Sequence, residues 1–396
     1  MKTNVMKMKD CDKADPSYES CMRVFSKDLS TSAKPTPPRK HTLANRIKQY
    51  YYLADKLSLL RDDDCLEKTN YADGTSGYTI RNIINLRKRI GTKSKYGLIY
   101  LTSIPSLVNT YPIATKTMPY NMNNIYEVNI MLIITNEILL RSLSRHFLMI
   151  YGRCVCSKRI AQKLKLISIN EIADGDIKML ISIPEVVGNA QLMFNLFIQT
   201  FISIATFHNL VGYVHRDTHY GNFLYQTNSE KGYYHYIFNG KDYYLKSSKY
   251  NIIIYDYGFA RRIGTYDRGF GIDGSTGIEG NRSRSNSEIS KCKISIYKDY
   301  AKIINAFIKE SSKGWNKLSV LDKNLSDTMD AFRRLLRTNI ENEIYRERNE
   351  CSSYALSIFT YIIENMFLKY APKGMFITSR PPKVINAIPF QIDKGF

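Results

Sequence analysis

No run of the 396-residue sequence approaches the roughly 18 apolar residues of a membrane span, and Met1 to Asp10 carry no apolar core of a secretory leader. Neither feature is therefore expected. Cysteine is sparse and unpatterned. Cys11, Cys21, Cys65, Cys154, Cys156, Cys292 and Cys351 are odd in number, form no C-x-x-C pair, and leave the Cys154-x-Cys156 step without a second Cys/His pair nearby. A zinc site is not expected, and the thiols read as structural residues of a reducing compartment. Acidic residues are in deficit, 36 against 57 basic ones, for a formal charge of +21 and a pI near 9.5. The basic residues fall in small groups (Arg81 with Arg87, Lys88 and Arg89; Arg153 with Lys158 and Arg159; Arg261 with Arg262; Arg282 with Arg284). Such diffuse basicity implies attraction to acidic partners rather than sequence-specific nucleic-acid recognition. No internal repeat is visible. What is abundant is core material: 44% hydrophobic and 12% aromatic residues, including 30 Tyr, excludes a disordered chain. The length allows two or three units of about 150 residues or one large two-lobed enzyme.

Along the chain, residues 1–40 are polar, close on a Pro/Lys-rich stretch and read as a flexible arm. Leu43 to Leu60 repeats apolar residues at helical spacing, and short strands follow between Tyr78 and Tyr100 and through Ile113 to Lys116. Residues 129–150 read as a helix running into a strand, with another strand over Leu164–Ile169. Between Gln191 and Phe207 almost everything is apolar except Asn195, Gln199, Ser203 and Thr206, whose spacing makes one narrow polar stripe on a buried helix. Asn239-Gly240 marks a hairpin, Tyr250–Tyr255 a strand, and the remainder is helical apart from the Gly/Ser-rich segment 264–291.

The most specific motif is His215-Arg216-Asp217-Thr218-His219-Tyr220-Gly221-Asn222, which has the form H-R-D-x-x-x-x-N. In phosphoryl transfer that spacing supplies a carboxylate to accept a hydroxyl proton and an amide to hold Mg²⁺. The run Asn251-Ile-Ile-Ile-Tyr255 leads into Asp256-Tyr257-Gly258, a second carboxylate at a strand end of the type a Mg²⁺ on triphosphate oxygens requires. Upstream, Ile113-Ala114-Thr115-Lys116 is similar to V-A-I-K, and Glu137, within Glu137-x-x-Leu140-x-x-Leu143-x-x-His146, is preferred over Glu127 as the partner of Lys116. Gly91, Ser94 and Gly97 stand where a phosphate-covering loop belongs, although the glycine spacing is one residue long.

Taken in this order, Gly91, Lys116, Glu137, Asp217, Asn222 and Asp256 resemble the protein kinase-like superfamily. The resemblance covers residues 43 to about 310. The 39 residues from Asp217 to Asp256, Gly221-Asn222-Phe223-Leu224 and the Tyr-rich hairpin are similar to serine/threonine kinases of large cytoplasmic DNA viruses. It implies an α+β, bilobal fold: a small β-rich N-lobe over 41–170 and a larger, mostly helical C-lobe over 171–396. It implies ATP and Mg²⁺ as cofactors, a protein substrate and a host-cytoplasmic, even virion-packaged, enzyme. By the same likeness Asp217 is the catalytic base, Lys116 and Glu137 hold phosphates, and Asn222 and Asp256 hold the metal. Gly91, Ser94 and Gly97 cover the nucleotide. Asn170 occupies the gatekeeper position, Glu171 to Ala173 meet the base, Asp176 is near the ribose, and Asp299 braces the catalytic loop. His219 stands where such kinases carry a lysine that touches the γ-phosphate, and small-molecule kinases often carry His there. No Ala-Pro-Glu closes segment 264–291. A small-molecule phosphotransferase and a nucleotide-binding pseudokinase are the alternatives.

Overall fold

The computed structural model describes residues 41–71, 74–90, 97–104, 113–160, 163–263, 286–308, 323–344 and 350–394. The N-terminal arm, Gly91, Ser94 and most of the Gly/Ser-rich segment lie outside them. The chain is mixed α+β and divides into two compact units. One runs through Arg141 and resumes over Leu148–Gly175; the other takes Ser142–Phe147 and everything from Asp176.

The first unit opens with α1 (Leu43–Leu57). Thr42 caps it, its hydroxyl accepting the Asn45 N–H at 3.2 Å. Arg46, Leu53 and Leu57 form its buried stripe, at helical spacing. Next come β1 (Glu67–Asn70), β2 (Ser76–Ile80), β3 (Ile84–Ile90), β4 (Leu98–Ser103), β5 (Ile113–Pro119), α2 (Met122–Ile133), β6 (Ile150–Ile160) and β7 (Lys163–Glu171). Among the described residues the strands make one antiparallel sheet in the order β1-β2-β3-β4-β5-β7-β6. Six consecutive residues of β5 are buried, as an inner strand covered on both faces should be. Asn121 caps α2 by accepting the Asn124 N–H at 3.0 Å. The helix then widens into a π-helical stretch, Ile134–Leu139, before the chain returns to β6.

Cysteine pairing departs from expectation. Cys65 is joined to Cys156, with Cα atoms 4.5 Å apart, and in the second unit Cys292 is joined to Cys351. Cys154 stays a buried thiol. Sequence separations of 91 and 59 residues leave no local spacing from which such pairing could be read.

In the second unit, short strand β8 (Gly175–Asp176) precedes α3 (Ala190–Thr206), of which residues 193–206 are all buried. Its polar stripe explains itself. Asn195 donates to the Lys246 carbonyl at 2.8 Å, and the Gln199 amide donates to the Tyr250 carbonyl and accepts the Ile252 N–H, each at 3.0 Å. Ser203 and Thr206 bond to carbonyls of their own helix. By length and composition Ala190–Val211 could cross a membrane, but 83% of its most apolar window is buried inside the protein.

After α3 come β9 (Tyr213–Val214), β10 (Phe223–Thr227), β11 (Tyr233–Phe238), β12 (Lys241–Lys246), β13 (Tyr250–Ile254) and β14 (Arg261–Arg262). The β11–β12 hairpin turns at Asn239 and Gly240, both with positive φ, as a two-residue turn of that sequence requires. Strands β15 (Phe376–Ile377) and β16 (Phe390–Gln391) extend it on either side. Helices α4 (Asn286–Ile308), α5 (Lys323–Ile344) and α6 (Cys351–Ile362) complete the unit. Phe197 of α3 packs on Phe201, Phe307 and Phe332, ring centroids 4.4 to 5.6 Å apart. His146 accompanies this unit: its ring nitrogens meet the Ile252 carbonyl at 2.7 Å and the Tyr236 hydroxyl at 2.9 Å.

Candidate functional site

In the second unit the chain leaves α3 through a π-helical turn. Gly212, at φ 87°, reverses it into β9, a conformation that costs other residues more. The loop that follows is held by one fully buried carboxylate. Asp299 of α4 accepts the N–H groups of His215 and Arg216, each at 2.8 Å, and meets His208 Nε2 at 2.9 Å. The Thr218 hydroxyl donates to the Asp299 carbonyl at 2.7 Å. These bonds hold Arg216 at φ 69°, a left-handed conformation that costs a non-glycine residue about 1 kcal/mol or more.

His215 ties the loop to the end of β13. Its Nε2 lies 2.9 Å from the Tyr255 carbonyl, and the Asp217 N–H points at its Nδ1 from 3.3 Å. A carbonyl on one nitrogen and an N–H on the other define a neutral ring with its proton on Nε2. Burial accordingly pushes its pKa below the ordinary histidine value, against the pull of Asp299 and other nearby carboxylates.

Asp217, His219, Asn222 and Asp256 are brought to one place. Phe223 pairs with Ile254 in the β10–β13 ladder, and the Tyr255 N–H donates to the Asn222 carbonyl at 2.9 Å, so Asn222 and Asp256 flank neighbouring strand ends. Asn222 is buried, and its amide nitrogen donates to the Asp217 carbonyl at 2.9 Å and to Oδ2 at 3.3 Å. The amide oxygen is thereby turned to the other side. Asp256 has φ 64°, and the next residue, Tyr257, is buried, stacked on Phe207 with centroids 5.0 Å apart, its hydroxyl donating to the Ile254 carbonyl at 2.6 Å. The Asp217 carboxylate is about one-third exposed, with His219 Nε2 at 3.5 Å and Lys302 Nζ at 3.8 Å. The His219 N–H first, and then the charge of Lys302, hold its pKa below the usual carboxylate value against the opposing effect of burial. His219 is oriented by the Gly221 N–H, 3.0 Å from Nδ1, and a Cβ on Gly221 would meet the ring at 3.0 Å.

In the first unit, Lys116 of β5 donates to Glu127 Oε1 at 2.6 Å, with both residues buried. The expectation of Glu137 is corrected: its side chain is about two-thirds exposed and faces Arg141. Ten residues at about 100° each leave the two glutamates about 80° apart around a helix, before the π-helical stretch adds its own shift. The Asn121 cap was the available signal, since a helix starting at 122 puts Glu127 in its second turn. Opposed residues in the β4–β5–β7 register put Ile99, Leu101, Ala114, Lys116, Ser168 and Asn170 on one sheet face. Leu101, Ala114 and Ile172 cluster there, and Asn170 Oδ1 is buried without a hydrogen-bond partner in the structure. Gly97 lies against β5, where a Cβ would stand 2.8 Å from the Thr117 carbonyl oxygen. Glu171 is consumed by structure: its carboxylate accepts from Arg46 Nε and Nη2 at 2.6 and 2.7 Å and from the Met149 N–H at 3.1 Å. Ala173 is half-buried just beyond, and Asp176 caps a one-turn helix by accepting the Met179 N–H.

Arg46, Lys302 and His208 were not singled out from sequence. Each acts on a partner at least 85 residues away, beyond any local motif.

A divalent cation fits the donor chemistry at the strand ends, an amide oxygen and a carboxylate, which are hard ligands of the kind Mg²⁺ shares with phosphate oxygens and water. On the first unit, the cluster of Leu101, Ala114 and Ile172 and the unsatisfied Asn170 Oδ1 are the groups that could meet an apolar ring and an amine donor. Among the described residues there is no group of three or more His, Cys, Asp or Glu that would hold a metal by itself. No family model and no curated protein matches the chain.

Proposed function

We propose that the chain is an ATP-dependent protein serine/threonine kinase of the bilobal kinase-like type. The observation that carries this reading is the meeting of Asp217, Asn222 and Asp256 at the neighbouring ends of β10 and β13, on a loop braced by Asp299. The buried Lys116–Glu127 pair and the apolar face beside it support it.

In this reading Asp217 orients the acceptor hydroxyl and takes its proton as the hydroxyl oxygen attacks the γ-phosphorus. The new O–P bond forms while the bond from phosphorus to the β–γ bridging oxygen breaks, so ADP leaves with that electron pair. Asn222 does two things: its amide nitrogen steadies the base, and its oxygen, with Asp256, offers the metal its protein ligands. Mg²⁺, when bound, neutralises charge developing on the phosphate oxygens. Lys116, held by Glu127, binds the nucleotide phosphates, Gly97 keeps β4 close to β5, and the Ile99–Ala114 face takes the base. Asp217 needs to be ionised to act, and its depressed pKa meets that need.

His219 favours a second reading, a small-molecule phosphotransferase, because a histidine brings the acceptor site less charge than a lysine. The two separate in one assay. The protein is incubated with γ-labelled ATP, Mg²⁺, a mixed protein pool and, in parallel, aminoglycosides and choline. Label in phosphoserine or phosphothreonine supports the protein kinase; label only in the small alcohols supports the alternative; nucleotide binding without transfer to either overturns both.

A further inference from the structure

The loop offers Asp217 a neutral donor and a helix offers it a charged one. With Nδ1 of His219 accepting the Gly221 N–H, the ring's proton is on Nε2, directed at Asp217 Oδ2. That arrangement supplies a neutral N–H 3.5 Å from the carboxylate but no charge. The other oxygen, Oδ1, faces the Lys302 ammonium at 3.8 Å, and Lys302 also donates to the Arg216 carbonyl at 3.1 Å. Lys302 lies one helical turn beyond Asp299 on α4, so the helix that braces the loop backbone also delivers a cation to its carboxylate. An ammonium has three donors, only one of which is used on Arg216, and the side chain is 45% exposed.

Resting on the phosphoryl-transfer reading above, we propose that Lys302 is the fixed cation of the transfer site. It contacts the γ-phosphoryl oxygens of ATP and holds Asp217 in place while that carboxylate receives the acceptor's proton. In the transfer Lys302 gives up no proton and forms no bond, and its charge offsets that building up on the three phosphoryl oxygens. An ammonium brings a full positive charge to the phosphoryl oxygens, which the neutral His219 ring does not. The placement also explains how the loop does without a lysine two residues past Asp217.

Two measurements on the full chain test this. The first is nucleotide binding by calorimetry with Mg²⁺. A contact on the γ-phosphoryl group makes ATP bind more tightly than ADP, and Lys302→Met is expected to cut that preference about tenfold while leaving the ADP affinity within twofold. An unchanged ATP-to-ADP ratio would overturn the proposal. The second is transfer by Lys302→Met, Lys302→Arg and the double variant Lys302→Met/His219→Lys, each checked for an unaltered melting temperature. The expected pattern is a kcat lowered 10- to 1,000-fold in Lys302→Met with the KM for ATP changed far less, and recovery of at least tenfold when the cation returns through Arg or through position 219. Transfer by Lys302→Met at the wild-type rate overturns the role of Lys302 and leaves the kinase reading standing. Wild-type transfer no faster than that of Asp217→Ala overturns both.

Discussion

The two units treat charge differently. In the first, Lys116 with Glu127 and Arg46 with Glu171 are buried pairs in contact at 2.6 Å. In the second, the Asp217 carboxylate is about one-third exposed, with His219 at 3.5 Å and Lys302 at 3.8 Å. Buried pairs are held at the cost of desolvation and become expensive to break, which suits groups that must stay still. A carboxylate open to solvent, beside a neutral histidine N–H and a lysine ammonium at 3.8 Å rather than in a tight buried pair, is able to exchange a proton. On the proposed function, the buried pairs of the first unit, like Asp299 with His208 in the second, hold groups still, and Asp217 is the carboxylate placed to react.

The largest expected effect that sharpens this contrast is on chemistry alone. On the proposed function, Asn222→Ala removes both the amide nitrogen bonded to Asp217 and the oxygen that would meet the metal. It should reduce transfer at least about a hundredfold and raise the Mg²⁺ concentration needed, with melting changed by only a few degrees. Breaking a buried pair should show the reverse balance. Glu127→Ala leaves the Lys116 ammonium buried and is expected to cost about 3–5 kcal/mol in denaturant unfolding, whereas Glu137→Ala should cost less than about 0.5 kcal/mol. Equal costs for the two would erase the distinction. Arg46→Met belongs with Glu127→Ala, since it takes the guanidinium from the buried Glu171 carboxylate and loosens α1 from the end of β7.

Disulfide reduction comes next in size. Closing loops of 91 and 59 residues is worth up to about 4.5 kcal/mol each in the chain-entropy account, so reductant should lower the melting temperature and increase the mass by four hydrogens. Cys154 should resist alkylation in the folded protein. Burial, reinforced by the carboxylates of Asp62 to Asp64, pushes its thiol pKa up to about 12.

The smallest effects are local. Tyr257→Phe removes the hydroxyl donated to Ile254 and should cost about 1 kcal/mol with little change in transfer. The pH dependence of stability follows from His215 and Asp217. Unfolded, His215 takes up a proton near pH 6.5; folded, it resists until lower pH, so stability falls as pH drops below about 6.5. Asp217 has a depressed pKa when folded, so its contribution, full above about pH 4, is lost as pH falls through the folded value. Both slopes run the same way, and urea titrations between pH 4 and 8 should show no gain in stability on the acid side.

Much of the second unit was legible in the sequence because its signals are local. The polar stripe of α3, the Asn239-Gly240 turn and the two motifs ending in Asn222 and Asp256 each declare themselves within about ten residues, and their antiparallel pairing brings the last two together. The first unit was harder to read where it depends on helix phase. The sequence pattern favoured Glu137 over Glu127, whereas the Asn121 cap with the π-helical stretch after Ile133 places Glu127, not Glu137, on Lys116 of β5. Contacts of high sequence separation were not legible at all: Arg46 with Glu171, Lys302 with Asp217 and both disulfides exist only once the sheet and helices are assembled.

The central claim is that Asp217 serves chemistry rather than architecture. It is tested most directly by following phosphoryl transfer from γ-labelled ATP to protein, with nucleotide affinity measured on the same preparations of wild type and Asp217→Ala. The account predicts phosphoserine or phosphothreonine with the wild type, a loss of about a thousandfold or more in the variant, and ATP affinity within a few-fold of the original. Equal phosphorylation by the two proteins would contradict it.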